Sequence, residues 1–86
     1  MDIEYDPEKD AANFAKHGVS LALGLIVLEN RIVEIADSRR DYGEVRMNVF
    51  GPVDGRLFVC TYTKRGHAYR VISVRKASRQ EQLTWL

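Results

Sequence analysis

The chain is poor in the residues that build disulfides, metal centres and membrane spans. Its 86 residues include one cysteine and two histidines, and the longest apolar run, Leu21 to Leu28, is far shorter than the ~20 residues that cross a bilayer. A lone Cys60 excludes an internal disulfide and fits a reducing cytoplasm. Neither His17 nor His67 belongs to a spaced ligand set, so the sequence predicts no metal, no cofactor and no membrane.

Charge of one sign is also lacking overall, but the distribution is uneven. Thirteen Lys and Arg against twelve Asp and Glu give a formal net charge of +1. Residues 1–30, however, have a net charge of −4, and the last 23 residues have a net charge of +5. The basic tail indicates an anionic partner. The acidic start is unlike a signal peptide, so we expect a cytoplasmic protein. With 45% hydrophobic residues, the chain predicts one folded domain spanning 1–86.

The N-terminal third of the sequence predicts helices. A short strand at 3–5 precedes a helix that Asp6 caps, that Pro7 opens and that Gly18 ends. Its apolar positions are Ala11, Phe14 and Ala15, and a polar stripe on the other side holds Lys9, Asn13, Lys16 and His17. We expect the apolar side to face the core. Ser20 predicts the cap of a second, buried helix through Leu28, in which Gly24 allows close packing.

From residue 31 onward the pattern has period two, typical of strands. The predicted strands are Arg31–Ala36, Val45–Phe50, Arg56–Thr63 and Ala68–Lys76, joined by turns at 41–43, 51–55 and 64–67. The short turns favour an antiparallel meander. Ser78 and Glu81 form a capping-box pattern that opens a last helix with Leu83, Trp85 and Leu86. The predicted fold class is therefore α+β, with N-terminal helices on a mostly antiparallel sheet.

Alternation assigns the strand residues to two faces. The face that we expect the helices to cover holds Val45, Met47, Val49, Ile72 and Val74, with Val71 on the other side. The open face would then present Arg46, Asn48, Ser73 and Arg75 as a basic concavity. By the same parity, Arg70 and Lys76 lie on the covered side and reach solvent from its edges.

This basic face is compatible with phosphodiester cleavage of RNA, which needs no cofactor because the 2′-hydroxyl is the nucleophile. Arg75 is the first candidate to hold the phosphate and Arg46 the second. A surface salt bridge explains Arg75 equally well, and a cross-strand charge pair explains Arg46. Glu81 is either a general base or only the helix cap, and the stripe containing His17 is either functional or a solvated helix face. Cys60 reads as a buried small hydrophobe and Trp85 as a packing anchor.

In order and spacing, several sequence blocks together resemble the BrnT toxin family, also catalogued as the domain of unknown function 497. The blocks are Tyr5-Asp6-Pro7-Glu8-Lys9, Asn13, Lys16-His17-Gly18-Val19-Ser20, Tyr42-Gly43-Glu44-x-Arg46, Gly55-Arg56, Tyr62-Thr63-Lys64-Arg65-Gly66, Arg70 to Ser78 and Glu81. The resemblance spans essentially the whole chain. Departures are Tyr5 in place of the usual Trp, Leu21 in place of Phe and Trp85 in place of Tyr; the chain also stops at Leu86, early in its last helix.

The resemblance implies a RelE/ParE-like fold and a ribonuclease that arrests translation. It also implies neutralisation by a BrnA-like ribbon-helix-helix antitoxin, in a hetero-oligomer that represses its own operon with DNA contacted mainly by the antitoxin. Carried onto this sequence, the catalytic candidates are Arg75, Arg46, Glu81 and His17, and the RNA-binding candidates are Lys9, Lys16, Arg65, Arg70, Lys76 and Arg79. Two rival hypotheses are a non-catalytic binding module and a degenerate toxin that serves only as antitoxin partner and co-repressor.

Overall fold

A five-stranded mixed sheet with helices packed on it forms the frame of the protein. The computed structural model describes residues 1–38, 41 and 43–86. In these residues the strands are β1 (Asp2–Glu4), β2 (Val33–Ala36), β3 (Met47–Val53), β4 (Arg56–Arg65) and β5 (Ala68–Lys76), and the helices are α1 (Pro7–His17), α2 (Gly24–Glu29) and α3 (Arg79–Trp85). A 3₁₀ turn at Leu21–Leu23 leads into α2. The predicted α+β class is confirmed.

The sheet has the order β1-β5-β4-β3-β2. Strands β2 to β5 pair antiparallel with their neighbours, which confirms the predicted meander. The first strand pairs parallel with β5, but only at residues 68–70. Strand β5 continues to Lys76, so its second half has an edge that β1 does not cover. This uncovered edge positions α1.

The ends of α1 are as predicted, but its inward side is not. Asp6 Oδ1 accepts from the Glu8 N–H at 2.9 Å, and Gly18 ends the helix with φ of 75°. Phe14, which we expected in the core, is 61% exposed, and Ala11 and Ala15 are exposed as well. Asn13 is buried instead, at 6% exposure. The apolar stripe was misleading because α1 meets a strand edge with unpaired backbone groups rather than an apolar sheet surface.

Apolar side chains pack on both faces of the sheet. The larger cluster lies under α2 and joins Leu21, Val27, Leu28, Val49, Phe58, Cys60, Tyr62, Val71 and Val74. The smaller cluster on the opposite face contains Phe50, Leu57, Val59 and Ala77. The Trp85 ring lies 5.9 Å from that of Phe50, so α3 covers part of the face expected to be open and Trp85 is a packing anchor, as predicted. Val45, expected in the larger cluster, precedes β3 and is 74% exposed.

A β-bulge in β5 changes which residues share a face. Thr61 pairs with Ser73, but Tyr62 pairs with Val71, so Ile72 is an extra residue opposite β4. The predicted alternation is therefore wrong before the bulge: Val71 belongs to the same core as Val74. Arg70, paired with Thr63, moves to the face of Ser73 and Arg75, opposite to its predicted side. Lys76 pairs with Phe58 and stays on the α2 side, as predicted.

Several strands differ in their bounds from the prediction, including β1, which covers residues 2–4 rather than 3–5, and β4, which runs on to Arg65 rather than ending at Thr63. Strand β2 begins at Val33 rather than at residue 31, and β3 starts later and runs on through Gly51 and Pro52 to Val53. The turn expected over 51–55 is reduced to Asp54 and Gly55, whose φ values of 51° and 78° make a tight hairpin. The turn predicted at 41–43 includes Tyr42, which lies outside the described residues.

Candidate active site

Arg75 lies near the end of β5 and holds Glu81 of α3 in a two-point ion pair. Its Nη1 donates to Glu81 Oε1 at 2.7 Å and its Nη2 donates to Oε2 at 3.0 Å. The Ser78 N–H also donates to Oε1, at 2.8 Å, and Ser78 Oγ accepts from the Glu81 N–H, so the predicted capping box is present. The pair therefore fixes the Arg75 guanidinium, whose side chain is 38% exposed, against the start of α3.

The same contacts make Glu81 a poor proton acceptor. The hydrogen bonds from Arg75, opposed by partial burial and supported by the Ser78 N–H, lower the pKa of Glu81 to about 2. A carboxylate with this pKa is ionised at neutral pH but holds a proton only weakly. Of the two roles considered for Glu81, general base and helix cap, the geometry supplies the cap directly. It also makes Glu81 the ion-pair partner of Arg75.

His17 is the last residue of α1, the helix that packs against the uncovered edge of β5. Burial lowers the pKa of His17 below its usual 6.5, and the positive charges of Lys16 and Arg75 lower it further. The structure therefore brings His17 within electrostatic reach of Arg75, although one residue comes from a helix and the other from a strand. An imidazole with this pKa is largely neutral at pH 7 and can accept a proton.

A groove separates α1 from the bulged part of β5. The cavity has a volume of about 220 Å³ and is lined by Lys9, Ala12, Asn13, Lys16, His17, Ile72 and Ser73. The polar stripe of the helix thus borders a concave surface beside the strand that carries Arg75, with Lys9 and Lys16 exposed and His17 half-buried. The structure brings Lys9, Lys16 and His17 together along one groove. The sequence could not indicate the groove because its other wall depends on the bulge.

Asn13 joins the two walls of this groove. Its Nδ2 donates to the carbonyl oxygens of Val19 and Val74, both at 2.9 Å, and its Oδ1 accepts from the Val74 N–H at 3.2 Å. The side-chain amide thereby pairs the uncovered edge of β5 as a neighbouring strand would. Sequence reasoning placed Asn13 in the polar stripe but missed this role; a lone amide at the centre of a cationic stripe was the available signal.

Arg46 directly precedes β3, two strands across the sheet from the β5 strand that carries Arg75 and, by alternation, on the same face. Its Nε donates to Glu44 Oε2 at 3.1 Å, and its carbonyl accepts from the Asp37 N–H. Continuing the pairing of Met47 with Tyr62 puts Arg46 two strands across from β5, roughly 10 Å, and about four residues further along, roughly 13 Å. Between the two arginines lie Asn48, Thr61 and Ser73, with Thr61 Oγ1 donating to Asn48 Oδ1 at 2.6 Å.

The remaining RNA-binding candidates divide between the two faces. Arg70 shares the face of Arg75 and donates to Glu4 Oε1 at 3.4 Å. Arg65 ends β4 on that face by alternation, and Arg79 is exposed in the first turn of α3. Lys76 lies on the opposite face. The structure therefore places Lys9, Lys16 and His17 in a groove beside β5, puts Arg65, Arg70 and Arg79 on or beside the face of Arg75, and separates Lys76 from them.

An aromatic and cationic cluster on the α2 side had no counterpart in the sequence reasoning. The Tyr62 and Tyr69 rings are 4.8 Å apart, Lys64 Nζ lies 3.9 Å from the Tyr69 ring centre, and the Tyr62 hydroxyl donates to Glu34. Burial first, and Glu34 second, raise the pKa of Tyr62 to about 12. Nearby, Cys60 is buried, as predicted, and this burial raises the pKa of its thiol to about 12.

Within residues 1–38, 41 and 43–86, no three His, Cys, Asp or Glu side chains are grouped closely enough to hold a metal ion. Over the same residues no single helix is long and apolar enough to span a membrane; α1 together with residues 21–29 meets the length and composition requirement only as a pair bent by 92°.

Fold and site together define a small α+β protein in which Lys9, Lys16 and His17 of a helix line a groove beside the strand that carries Arg75, a surface suited to a polyanion. Comparison with known families gives the class a name. The family described as "Ribonuclease toxin, BrnT, of type II toxin-antitoxin system" matches residues 5–81. The chain belongs to this family, and is thus a toxin of the ribonuclease class that works with an antitoxin. No curated protein matches the chain.

Proposed function

We propose that the protein is a metal-independent endoribonuclease whose reacting phosphate is held by Arg75 beside His17. The observation that carries the proposal is the packing of α1 on the edge of β5, where Asn13 bonds Val74, the residue before Arg75, so that the charge of Arg75 contributes to the lowered pKa of His17. A guanidinium held by two hydrogen bonds is a preorganised donor for charge that develops on a phosphate. Such fixed cations supply the stabilisation that a metal ion supplies in other nucleases.

In the proposed reaction the neutral His17 imidazole takes the proton of a ribose 2′-hydroxyl. The 2′-oxygen forms a bond to phosphorus, and the bond from phosphorus to the 5′-oxygen breaks, which leaves a 2′,3′-cyclic phosphate and a 5′-hydroxyl protonated by solvent. Arg75 offsets the negative charge that grows on the phosphate oxygens. Glu81 serves in this scheme as the positioning residue for Arg75, because its pKa of about 2 makes it a weaker base than His17.

We propose for Arg46 a role other than the catalytic one that the sequence predicted. Two strands and about four residues separate it from Arg75, roughly 16 Å between Cα atoms at ordinary strand spacings. We therefore assign Arg46 to a flanking part of the RNA strand, together with Arg65, Arg70 and Arg79. Lys76 points to the other face and has no part in this RNA surface.

The test is cleavage of a mixed RNA by the purified full chain in excess EDTA. We expect cleavage that leaves 2′,3′-cyclic ends and that falls about 10²- to 10³-fold in Arg75→Gln, the range seen when one such donor is removed. Lys64→Gln, a lysine removed from the opposite face, is the matched control and should cleave normally. Circular dichroism of each variant verifies folding. Intact RNA with the folded wild-type chain, with or without Mg²⁺, would overturn the proposal.

We further propose a cytoplasmic toxin with a RelE/ParE-like fold that arrests translation and is neutralised by a BrnA-like ribbon-helix-helix antitoxin. Membership of the BrnT family supports an antitoxin partner, and the order of N-terminal helices, meander and C-terminal helix supports the fold assignment. Co-expression with the neighbouring gene product should restore growth and yield a hetero-oligomer. That complex should shift its own operator DNA, whereas the toxin alone should not. Growth arrest that persists, with no complex on purification, would contradict this partner.

A further inference from the structure

The groove between α1 and the bulged part of β5 is elongated along the helix. Lys9 and Lys16 are seven residues apart on the same side of α1, which corresponds to roughly 10 Å along the helix axis. Asn13, between these two lysines, bonds the backbone of Val74, the residue before Arg75, and the charge of Arg75 contributes to the lowered pKa of His17. The opposite wall is formed by Ile72, the extra residue of the bulge, and by Ser73. The groove therefore runs along the helix beside the strand that carries Arg75.

The charge in the groove is uncompensated by its own walls. Its lining residues include two lysines and a histidine but no carboxylate. Asp10 of α1 is engaged elsewhere, because its Oδ1 accepts from Ser20 Oγ and from the Leu21 N–H. A concave strip with cations at both ends and an apolar side chain in its wall has the chemistry of a site for a single-stranded nucleic acid.

We propose that this groove holds the RNA strand next to the cleaved bond, with Lys9 binding a phosphate that is not the one cleaved. Lys9 lies eight residues from His17, roughly 12 Å along the helix axis, so the two residues serve different phosphates when His17 stands at the reacting one. The half-buried Ile72 side chain then offers an apolar contact to the intervening ribose or base. The inference rests on the proposed function and specifies its substrate: single-stranded RNA longer than a dinucleotide.

Binding can be separated from cleavage with 2′-O-methyl oligonucleotides, which lack the nucleophile. Fluorescence anisotropy would give the Kd of a dinucleotide and of a tetranucleotide for the full chain across a series of salt concentrations. In Lys9→Gln we expect weaker tetranucleotide binding and a salt slope smaller by roughly 0.7, the value for one phosphate contact on a single strand. The dinucleotide should bind this variant as it binds wild type, and Lys9→Arg should restore both values.

Lys64→Gln is the control, because it removes the same charge from the opposite face and should leave the tetranucleotide slope unchanged. An unchanged slope in Lys9→Gln, or an equal loss for both oligonucleotides, would overturn the inference. The two proposals fail in distinguishable ways. Wild-type protein that cleaves RNA while Lys9→Gln binds normally refutes the groove alone, whereas folded wild-type protein that neither binds nor cleaves RNA refutes the proposed function.

Discussion

The side-chain amide of Asn13 hydrogen-bonds both the N–H and the carbonyl oxygen of Val74, the residue immediately before Arg75. A helix side chain thus replaces a strand at the uncovered edge of β5. Because Asn13 lies between Lys9 and Lys16 on the same helix, these bonds set the distance between the lysines of α1 and the guanidinium of β5. The geometry of the candidate site therefore depends on one buried amide.

We expect Asn13→Ala to lower the free energy of unfolding by about 2 to 4 kcal/mol, because it leaves buried backbone groups of Val74 without partners. Urea denaturation measures the change. Phe14→Ala, on the exposed side of the same helix, is the control and should change stability by less than about 0.5 kcal/mol. Equal losses in the two variants would contradict the role given to Asn13.

The Arg75–Glu81 pair predicts an acid-dependent loss of stability. The folded-state pKa of Glu81, about 2, is below its usual value of 4.5, so the unfolded chain binds the proton more tightly. Stability from this group is complete above pH 4.5 and is lost as the pH falls toward 2. Since Arg75 is more than a third exposed, solvent screening reduces the effect to about 1 kcal/mol. Unfolding followed between pH 6 and pH 2 should therefore show a shallower dependence in Glu81→Gln than in wild type; parallel curves would refute the assignment.

Local signals in the sequence predicted most of the elements, whereas the site depended on pairing between distant residues. The caps at Asp6, Gly18 and Ser78 were foreseen because each is decided by residues within one turn. The bulge at Ile72 was not, because an extra residue becomes visible only when the β4 partner is known. That single residue moved Arg70 to the face of Arg75. The inward orientation of the Asn13 side chain was missed for the same reason, since its partner, Val74, is 61 residues away.

Two glycines should differ sharply in their tolerance of alanine. A Cβ at Gly51 would collide with the backbone carbonyl oxygen of Val27, where α2 crosses β3, whereas a Cβ at Gly24 would meet the side chains of Cys60 and Val71 at 3.1 Å. Side chains can shift by a few tenths of an ångström at little cost, whereas relieving a contact with the backbone of α2 requires the whole helix to move. We expect Gly51→Ala to cost about 3 kcal/mol or more and Gly24→Ala about 1 kcal/mol or less, partly offset by the higher helix propensity of alanine. Thermal unfolding of both variants tests the order; a larger loss in Gly24→Ala would contradict the close approach of α2.

The titration of His17 provides the most direct test of the convergence of α1 and β5. Burial and two neighbouring cations keep its pKa below 6.5, so removing either cation should raise it. We expect the pKa of His17, followed by NMR of the imidazole, to rise in both Arg75→Gln and Lys16→Gln but not in Lys64→Gln. Because the unfolded chain takes up this proton at higher pH than the folded one, the group should also reduce stability as the pH falls through 6.5. In the proposed reaction the same pKa should define the acid limb of the rate profile, since only the neutral imidazole accepts the 2′-hydroxyl proton. A His17 pKa that is the same in Arg75→Gln as in wild type would show that the two residues do not share a site.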